Sequence, residues 1–265
     1  MPISNQTLLS DLLYKRIESE AFTQVDDNVY ILEKKDRAGD SSICMFVLGN
    51  IPDTVISLFH NKVDCLISLP PKDISSSVEG SPIEHSPQST HIYADSPLYT
   101  QASSEAKSIL LKPGHFLVEF LPEENGDNYE YLYRVKDLAR KAGFEYYAKV
   151  PWKKGDFVAN TGRKSKNTED ICFFFKGRAR DLRPDAKKDK AEPGVEHFMS
   201  GTAGMLPTVF DVAPTSKKDK IHQAEKPVEL LRQILRFVTK EDEIALDQFA
   251  GSGVLGEAAL LEHRD

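Results

Sequence analysis

Apolar residues in this chain fall into short blocks of two kinds, some at helical spacing and some as continuous runs. Residues 7–21 carry Leu8, Leu9, Leu12, Leu13 and Ile17 at helical spacing and predict an amphipathic helix. Residues 29–32 predict a short strand, and the charged, glycine-containing stretch 34–42 a turn. A buried strand follows at 43–48, stopped by Gly49-Asn50, and then a short helix at 53–59. Residues 63–68 form a second apolar run that leads directly into Leu69-Pro70-Pro71-Lys72. Paired prolines cannot continue a hydrogen-bonded ladder, so the strand ends there. The stretch 73–97 is rich in Ser, Pro and His and reads as a loop.

The second half has the same character. A helix is expected at 103–111, a turn at Lys112-Pro113-Gly114 and a strand at 115–120. A polar loop at 123–127 precedes a helix at 129–142, with Leu132, Val135, Leu138 and Ala139 on its apolar side and Gly143 at its end. Strands follow at 144–150 and 170–176, an exposed charged segment at 181–193, a short strand at 208–212 and a helix at 228–238. Residues 244–246 are apolar, Asp247-Gln248-Phe249-Ala250-Gly251-Ser252-Gly253 reads as a tight turn, and 254–261 as a helix. Strands alternating with helices predict an α/β sheet, largely parallel at its centre. Ligands of such sheets lie beyond the C-terminal ends of the strands. Asn50, Leu69-Pro70-Pro71 and the 247–253 turn each follow a predicted strand, so one crevice can gather them. Two glycines two apart let a backbone approach a ligand closely; a plain strand-to-helix turn uses the same residues.

Composition narrows the class. A chain of 265 residues with 40% apolar and 28% charged residues is sufficient for one large globular domain carrying a smaller insertion. No stretch is apolar for long enough to span a membrane, and the first six residues lack the features of a signal peptide. Cys44, Cys65 and Cys172 are far apart, with neither metal-ligand spacing nor a disulfide framework, so no metal is expected and the default is a reducing, intracellular setting in cytoplasm or nucleus. The formal charge is -7, yet residues 151–190 hold 12 Lys or Arg against 6 Asp or Glu. An acidic body with one basic segment suits local contact with a polyanion; the same segment also reads as a solvated loop.

The stretch His222-Gln223-Ala224-Glu225-Lys226-Pro227, followed by a helix and then Asp247-Gln248-Phe249-Ala250-Gly251-Ser252-Gly253, resembles the amino-methylating DNA methyltransferases, which act on adenine N6 or cytosine N4. The resemblance is to the subgroup whose catalytic motif precedes its cofactor motif, and it covers most of residues 43–264. Gln248 stands where that family usually has proline. Weaker matches are Leu111-Lys112-Pro113-Gly114, Trp152-Lys153-Lys154-Gly155, and Glu169-Asp170-Ile171 running to Phe175-Lys176-Gly177. The resemblance implies a Rossmann-like S-adenosylmethionine-dependent methyltransferase fold, with a mixed, mostly parallel sheet and helices on both faces. It implies a single methyltransferase-like domain over 1–265, with a basic DNA-contacting region at 151–205. S-adenosylmethionine would be held by Asn50, Lys226, Asp247, Phe249, Gly251, Ser252 and Gly253. Phe249 would pack on the adenine and Asp247 would meet the positive end. Lys153, Lys154, Arg163 and Lys164 would contact DNA.

The catalytic motif departs from this family. There, Asp, Asn or Ser precedes Pro-Pro and an aromatic residue follows. The polar side chain and the first proline carbonyl orient the target amine, and the ring stacks on the flipped base. Here Leu69 accepts no hydrogen bond and Lys72 offers no ring, while Pro70 and Pro71 remain. Ser68 is one position early, on the opposite side of an extended strand. The family also continues with a strand whose acidic end holds the cofactor ribose, whereas this sequence stops at His263-Arg264-Asp265. The expectation is either a fragment or an incomplete cofactor site. Two functions follow: an inactive methyltransferase-like protein that binds DNA or partners an active methyltransferase subunit or a second copy of itself, or an active N6 or N4 enzyme of unusual motif.

Overall fold

The computed structural model describes residues 23–26, 29–35, 41–47, 62–68, 100–126, 128–154, 157–158, 164–165, 168–184, 204–216, 225–248 and 252–265. The helices expected at 7–21 and 53–59 and the loop at 73–97 lie outside them. Three strands, β1 (Thr23–Asp26), β2 (Val29–Lys35) and β3 (Ser41–Val47), form an antiparallel meander. β4 (Val63–Ser68) is buried at every position, including the polar Asp64 and Ser68 that flank its apolar centre Cys65-Leu66-Ile67. Helix α1 (Gln101–Leu110) follows, its first turn capped by the Thr100 side chain, which accepts from the Ser103 amide. Next come β5 (Leu111–Pro122), α2 (Tyr129–Lys141), β6 (Phe144–Lys153), the two-residue pair β7 (Phe157–Val158) and β8 (Lys164–Ser165), and β9 (Thr168–Lys176). β10 (Phe210–Asp211), α3 (Val228–Val238), β11 (Ala245–Asp247) and α4 (Val254–Leu261) complete the order.

The central sheet has the order β10-β6-β9-β5-β4-β11. Every neighbouring pair is parallel except those made by β9, which is antiparallel to both β5 and β6. Its alternating side chains enter two cores. On one face Cys65, Phe116, Val118, Ile171 and Phe173 pack against Leu230, Ile234 and Leu235 of α3 and Leu255 and Ala258 of α4. On the other, Leu66, Leu117, Leu121 and Phe174 pack against Leu110 of α1 and Leu132 and Val135 of α2. The architecture is the mixed, mostly parallel sheet with helices on both faces that the sequence led us to expect.

Three local expectations fail. The strand expected to be buried at 43–48 belongs to the separate meander, not to the central sheet, and exposes Ile43 and Met45, so its end is not one of the central-sheet strand ends expected to share a crevice. Lys112-Pro113-Gly114 is not a turn between elements, because α1 passes directly into β5. Val63 pairs with Leu111 and Cys65 with Phe116, so the extra residues bulge out of the ladder. Gly114 has φ 86°, and a Cβ there would meet the Arg178 carbonyl at 3.0 Å. β6 also runs on through Pro151 to Lys153, which brings the buried Trp152 beside β10, its indole donating to the Val212 carbonyl at 2.8 Å.

At the N-terminal ends of the strands an ionic clasp joins three segments. His115 Nε2 on β5 lies 3.1 Å from Asp64 Oδ1 on β4 and 3.8 Å from Glu243 Oε1, just before β11. Its Nδ1 faces the Pro113 carbonyl at 3.0 Å. Lys112 pairs with Asp64 at 2.7 Å, and Arg180 Nη1 lies 2.8 Å from both Glu243 oxygens. The three groups bring ligand atoms within 4.8 Å of one another, but both carboxylates are already engaged by cations. Burial pulls the His115 pKa down, yet its bonds to Asp64 and Glu243 outweigh this and raise it to about 9. Burial also opposes ionisation of Asp64 and Glu243, but their bonded partners hold both below the ordinary carboxylate values.

A raised imidazole pKa stabilises the fold fully below the unfolded value near 6.5, and this contribution is lost as pH rises through about 9. The depressed carboxylates contribute above their unfolded values and lose that contribution as pH falls through the lowered ones. Between pH 6 and pH 9.5 the wild-type protein should lose stability that a His115→Asn variant does not, on the order of 3 kcal/mol at most. Urea unfolding of both proteins at the two pH values measures the difference.

Candidate functional site

The opposite end of the sheet carries the predicted site. β4 and β11 are parallel neighbours, with Asp247 level with Ile67. The strand that leads into Leu69-Pro70-Pro71-Lys72 and the strand that leads into the glycine turn therefore end side by side. Residues 69–72 themselves, with Pro70 and Pro71, lie outside the described residues, as do Asn50, Phe249, Gly251 and Arg163. Ser252 is buried, and Gly253 is the N-cap of α4 with φ 73°, a left-handed conformation that glycine adopts without strain.

Below this end lies a polar group that the sequence reading missed. Ser68, the last residue of β4, donates from Oγ to Glu119 Oε2 at 2.6 Å. Lys107 Nζ on α1 donates to Ser68 Oγ at 2.9 Å and to Glu119 Oε1 at 2.6 Å. Lys107 and Glu119 are wholly buried and Ser68 nearly so. Burial lowers the Lys107 pKa, while Glu119, and more weakly Asp247, favour the charged ammonium. Ser68 belongs to the α1 side of the sheet, and its hydroxyl is engaged there from both directions. Gln248, in the position where the resemblance expects proline, donates from Nε2 to Ser103 Oγ on α1 at 3.3 Å. α1 thus touches both strand ends. The signal for Glu119 was present in the sequence, as a lone carboxylate inside the apolar run Phe116-Leu117-Val118-Glu119-Phe120.

A second cluster lies where β9 begins. Glu169 receives Lys226 Nζ at 2.5 Å and also binds the Lys154 ammonium. Burial disfavours the Glu169 carboxylate, but the two lysines prevail and lower its pKa. Lys226 Nζ also stands 5.3 Å from the Phe120 ring centre and 5.4 Å from that of Trp152; Lys154 Nζ is 5.1 Å from Trp152. The structure thereby joins Lys226, expected at the cofactor, to Lys154, expected at DNA, through one carboxylate. Lys153 is exposed on the end of β6, and Lys164 lies in β8. No helix among the described residues is long and apolar enough to cross a membrane.

Comparison with known proteins fits this geometry. Residues 87–265 match the family described as DNA methylase of the N6/N4 type, a span that begins after Leu69-Pro70-Pro71-Lys72. A stretch of 45 residues is 44% identical to the type II methyltransferase M.HindIII of Haemophilus influenzae, covering 17% of this chain and 15% of that protein's length. The PvuII DNA methyltransferase, described as cytosine-N4-specific, superposes with a TM-score of 0.55 at 17% identity, over 79% of this chain and 76% of that one. M1.HpyAVI, in its complex with SAM, superposes with a TM-score of 0.53 at 20% identity, over 81% and 84% of the two chains. At such identities the superpositions establish the fold, a class I methyltransferase-like sheet. The family match covers well over half of the sequence, and the chain belongs to the N6/N4-type DNA methylase family.

Proposed function

We propose that this chain is a methyltransferase-like protein whose Leu69-Pro70-Pro71-Lys72 motif does not support methyl transfer, and that it acts as a DNA-binding or partner subunit of a methyltransferase complex. The observation that carries this reading is the fate of Ser68. With leucine at 69 and lysine at 72, Ser68 is the nearest polar side chain on β4 able to orient a target amine. Its hydroxyl is instead buried between Lys107 and Glu119. The Pro70 carbonyl is then the acceptor that the motif retains.

The crevice residues suit S-adenosylmethionine. Gly253 in its left-handed conformation opens the N-terminus of α4, and buried acceptor oxygens on Gln248 and Glu225 have no hydrogen-bond partner among the described residues. Asp247, Ser252 and Gly253, with Phe249, Gly251 and Asn50, would hold the cofactor, which when bound supplies an electrophilic methyl group. Lys226 would shape the pocket through Glu169 rather than reach the ligand by itself. An active N6 or N4 enzyme is the second reading, favoured by the side-by-side ends of β4 and β11. In that case catalysis rests on positioning of the amine against the methyl group, with the Pro70 carbonyl as acceptor.

Calorimetric titration with S-adenosylmethionine, followed by a radiolabelled methyl-transfer assay on duplex DNA, separates the two readings. We expect cofactor binding without transfer; transfer by the wild-type chain alone would overturn the proposal. In a Leu69→Asp, Lys72→Tyr variant that still binds cofactor, transfer is expected to appear. Its absence would count against simple loss of the catalytic side chains.

Lysines at 151–205 supply the proposed DNA contact. Neutralising Lys153, Lys154, Arg163 and Lys164 together should weaken duplex binding by about ten-fold or more. The log–log salt slope should fall by about three. Lys154 is already committed to Glu169, so Lys154→Ala alone should weaken binding less than Lys153→Ala. Fluorescence anisotropy over a salt series measures both; unchanged affinity in the fourfold variant would remove DNA contact from this segment.

A further inference from the structure

Among the described residues, Gln101 Oε1, Glu225 Oε2 and Gln248 Oε1 are buried side-chain atoms with no hydrogen-bond partner. All are acceptors, and all lie on segments at the end of the sheet where β4 and β11 finish. Gln101 opens α1, two residues before the Ser103 that receives Gln248. Glu225 lies just before α3, beside Lys226, whose ammonium reaches Glu169 at the start of β9.

Glu225 is the most demanding of the three. The residue is 8% exposed, and a carboxylate oxygen shut away from water without a donor is costly. The ordinary structural roles are filled by others. α3 begins behind Pro227 with no side-chain capping bond, so Glu225 does not cap it. The acidic residue of its first turn is Glu229, which binds Arg232 and Gln233. The neighbouring Lys226 ammonium is bound to Glu169 at 2.5 Å. No described residue supplies a donor to this oxygen, so a ligand N–H is a candidate partner, and a buried anion favours a cationic N–H donor over a neutral one.

We propose that Glu225 receives the α-ammonium group of the methionine moiety of S-adenosylmethionine, an assignment that rests on the cofactor reading above. Among the cofactor's donors the ammonium is the cationic one; the sulfonium carries no N–H, and the adenine amine and ribose hydroxyls are neutral. Glu225 is then a binding residue that recognises the amino-acid end of the ligand, with the Gln248 amide oxygen available to a neutral donor.

The test is calorimetry on the full chain with three ligands: S-adenosylhomocysteine, its analogue with hydrogen in place of the α-amino group, and 5′-methylthioadenosine, which lacks the amino-acid chain. The wild-type protein should bind S-adenosylhomocysteine about ten-fold or more tightly than the deaminated analogue. Glu225→Gln keeps the shape and removes the charge. It should weaken S-adenosylhomocysteine by about ten-fold or more and change the other two by less than about two-fold. Equal wild-type affinity for the first two ligands overturns the assignment without any variant. A Glu225→Gln protein that binds S-adenosylhomocysteine as tightly as wild type, or loses all three ligands equally, overturns it while leaving the cofactor reading intact. Wild-type protein that binds none of the three overturns the cofactor reading, and the Glu225 assignment with it.

Discussion

A lysine ammonium without access to water must be matched in charge and hydrogen bonding, and Lys107 imposes that condition on the centre of this protein. Glu119 supplies the charge and Ser68 the second acceptor, at 2.6 Å and 2.9 Å. Those partners lie on adjacent strands, so the pair ties α1 to both β4 and β5. A buried ion pair of this kind contributes little net stability compared with an apolar replacement, whereas removal of one partner alone is severe. Its consequence is therefore chiefly geometric. It fixes the last residue of β4, and hence where the Leu69-Pro70-Pro71 segment departs.

That geometry connects the two halves of the proposed site. β4 and β11 end together, and α1 reaches both, through Lys107 to Ser68 and through Ser103 to Gln248. Across the crevice Glu169 gathers Lys154 and Lys226 above Trp152 and Phe120. Each lysine comes from a segment for which a different ligand was expected. One carboxylate holding both makes the basic segment and the start of α3 mechanically dependent on each other. The far end of the sheet has the matching constraint, since Asp64, His115, Glu243 and Arg180 bind the starts of β4 and β5 to the approach to β11. Both ends of the sheet are thus held by ionic groups and its middle by apolar packing.

The proposed separation of family from activity rests on the Leu69-Pro70-Pro71-Lys72 motif. The N6/N4 DNA methylase family match and the fold agree, while Leu69 and Lys72 lack the acceptor and ring that amine methylation uses. Ser68 does not compensate, because its hydroxyl is committed inside the fold. Among the described residues the buried side-chain atoms left without a partner, Gln101 Oε1, Glu225 Oε2 and Gln248 Oε1, are all acceptors, which suits recognition of a ligand's donors. Binding without transfer is the function we propose for such a set.

Much of the fold was legible in the sequence. The apolar runs at 63–68 and 170–176 and the periodic stretches at 129–142, 228–238 and 254–261 became elements with nearly those bounds, because burial of a continuous face is a local property of the pattern. The order of motifs around Lys226 and Asp247 likewise pointed to the family without coordinates. Lys112-Pro113-Gly114 was misjudged because local turn propensity is overruled when Leu111 pairs with Val63 across the sheet. Residue partnerships were beyond the sequence altogether. Nothing in the spacing of Ser68, Lys107 and Glu119, or of Lys154, Glu169 and Lys226, announces that each set meets. Hydrophobic periodicity tells each segment which face to bury, and so the sequence by itself determined the elements and the family. Only the tertiary structure decided which charges share a buried site, because that depends on strand order and register between segments far apart in the chain.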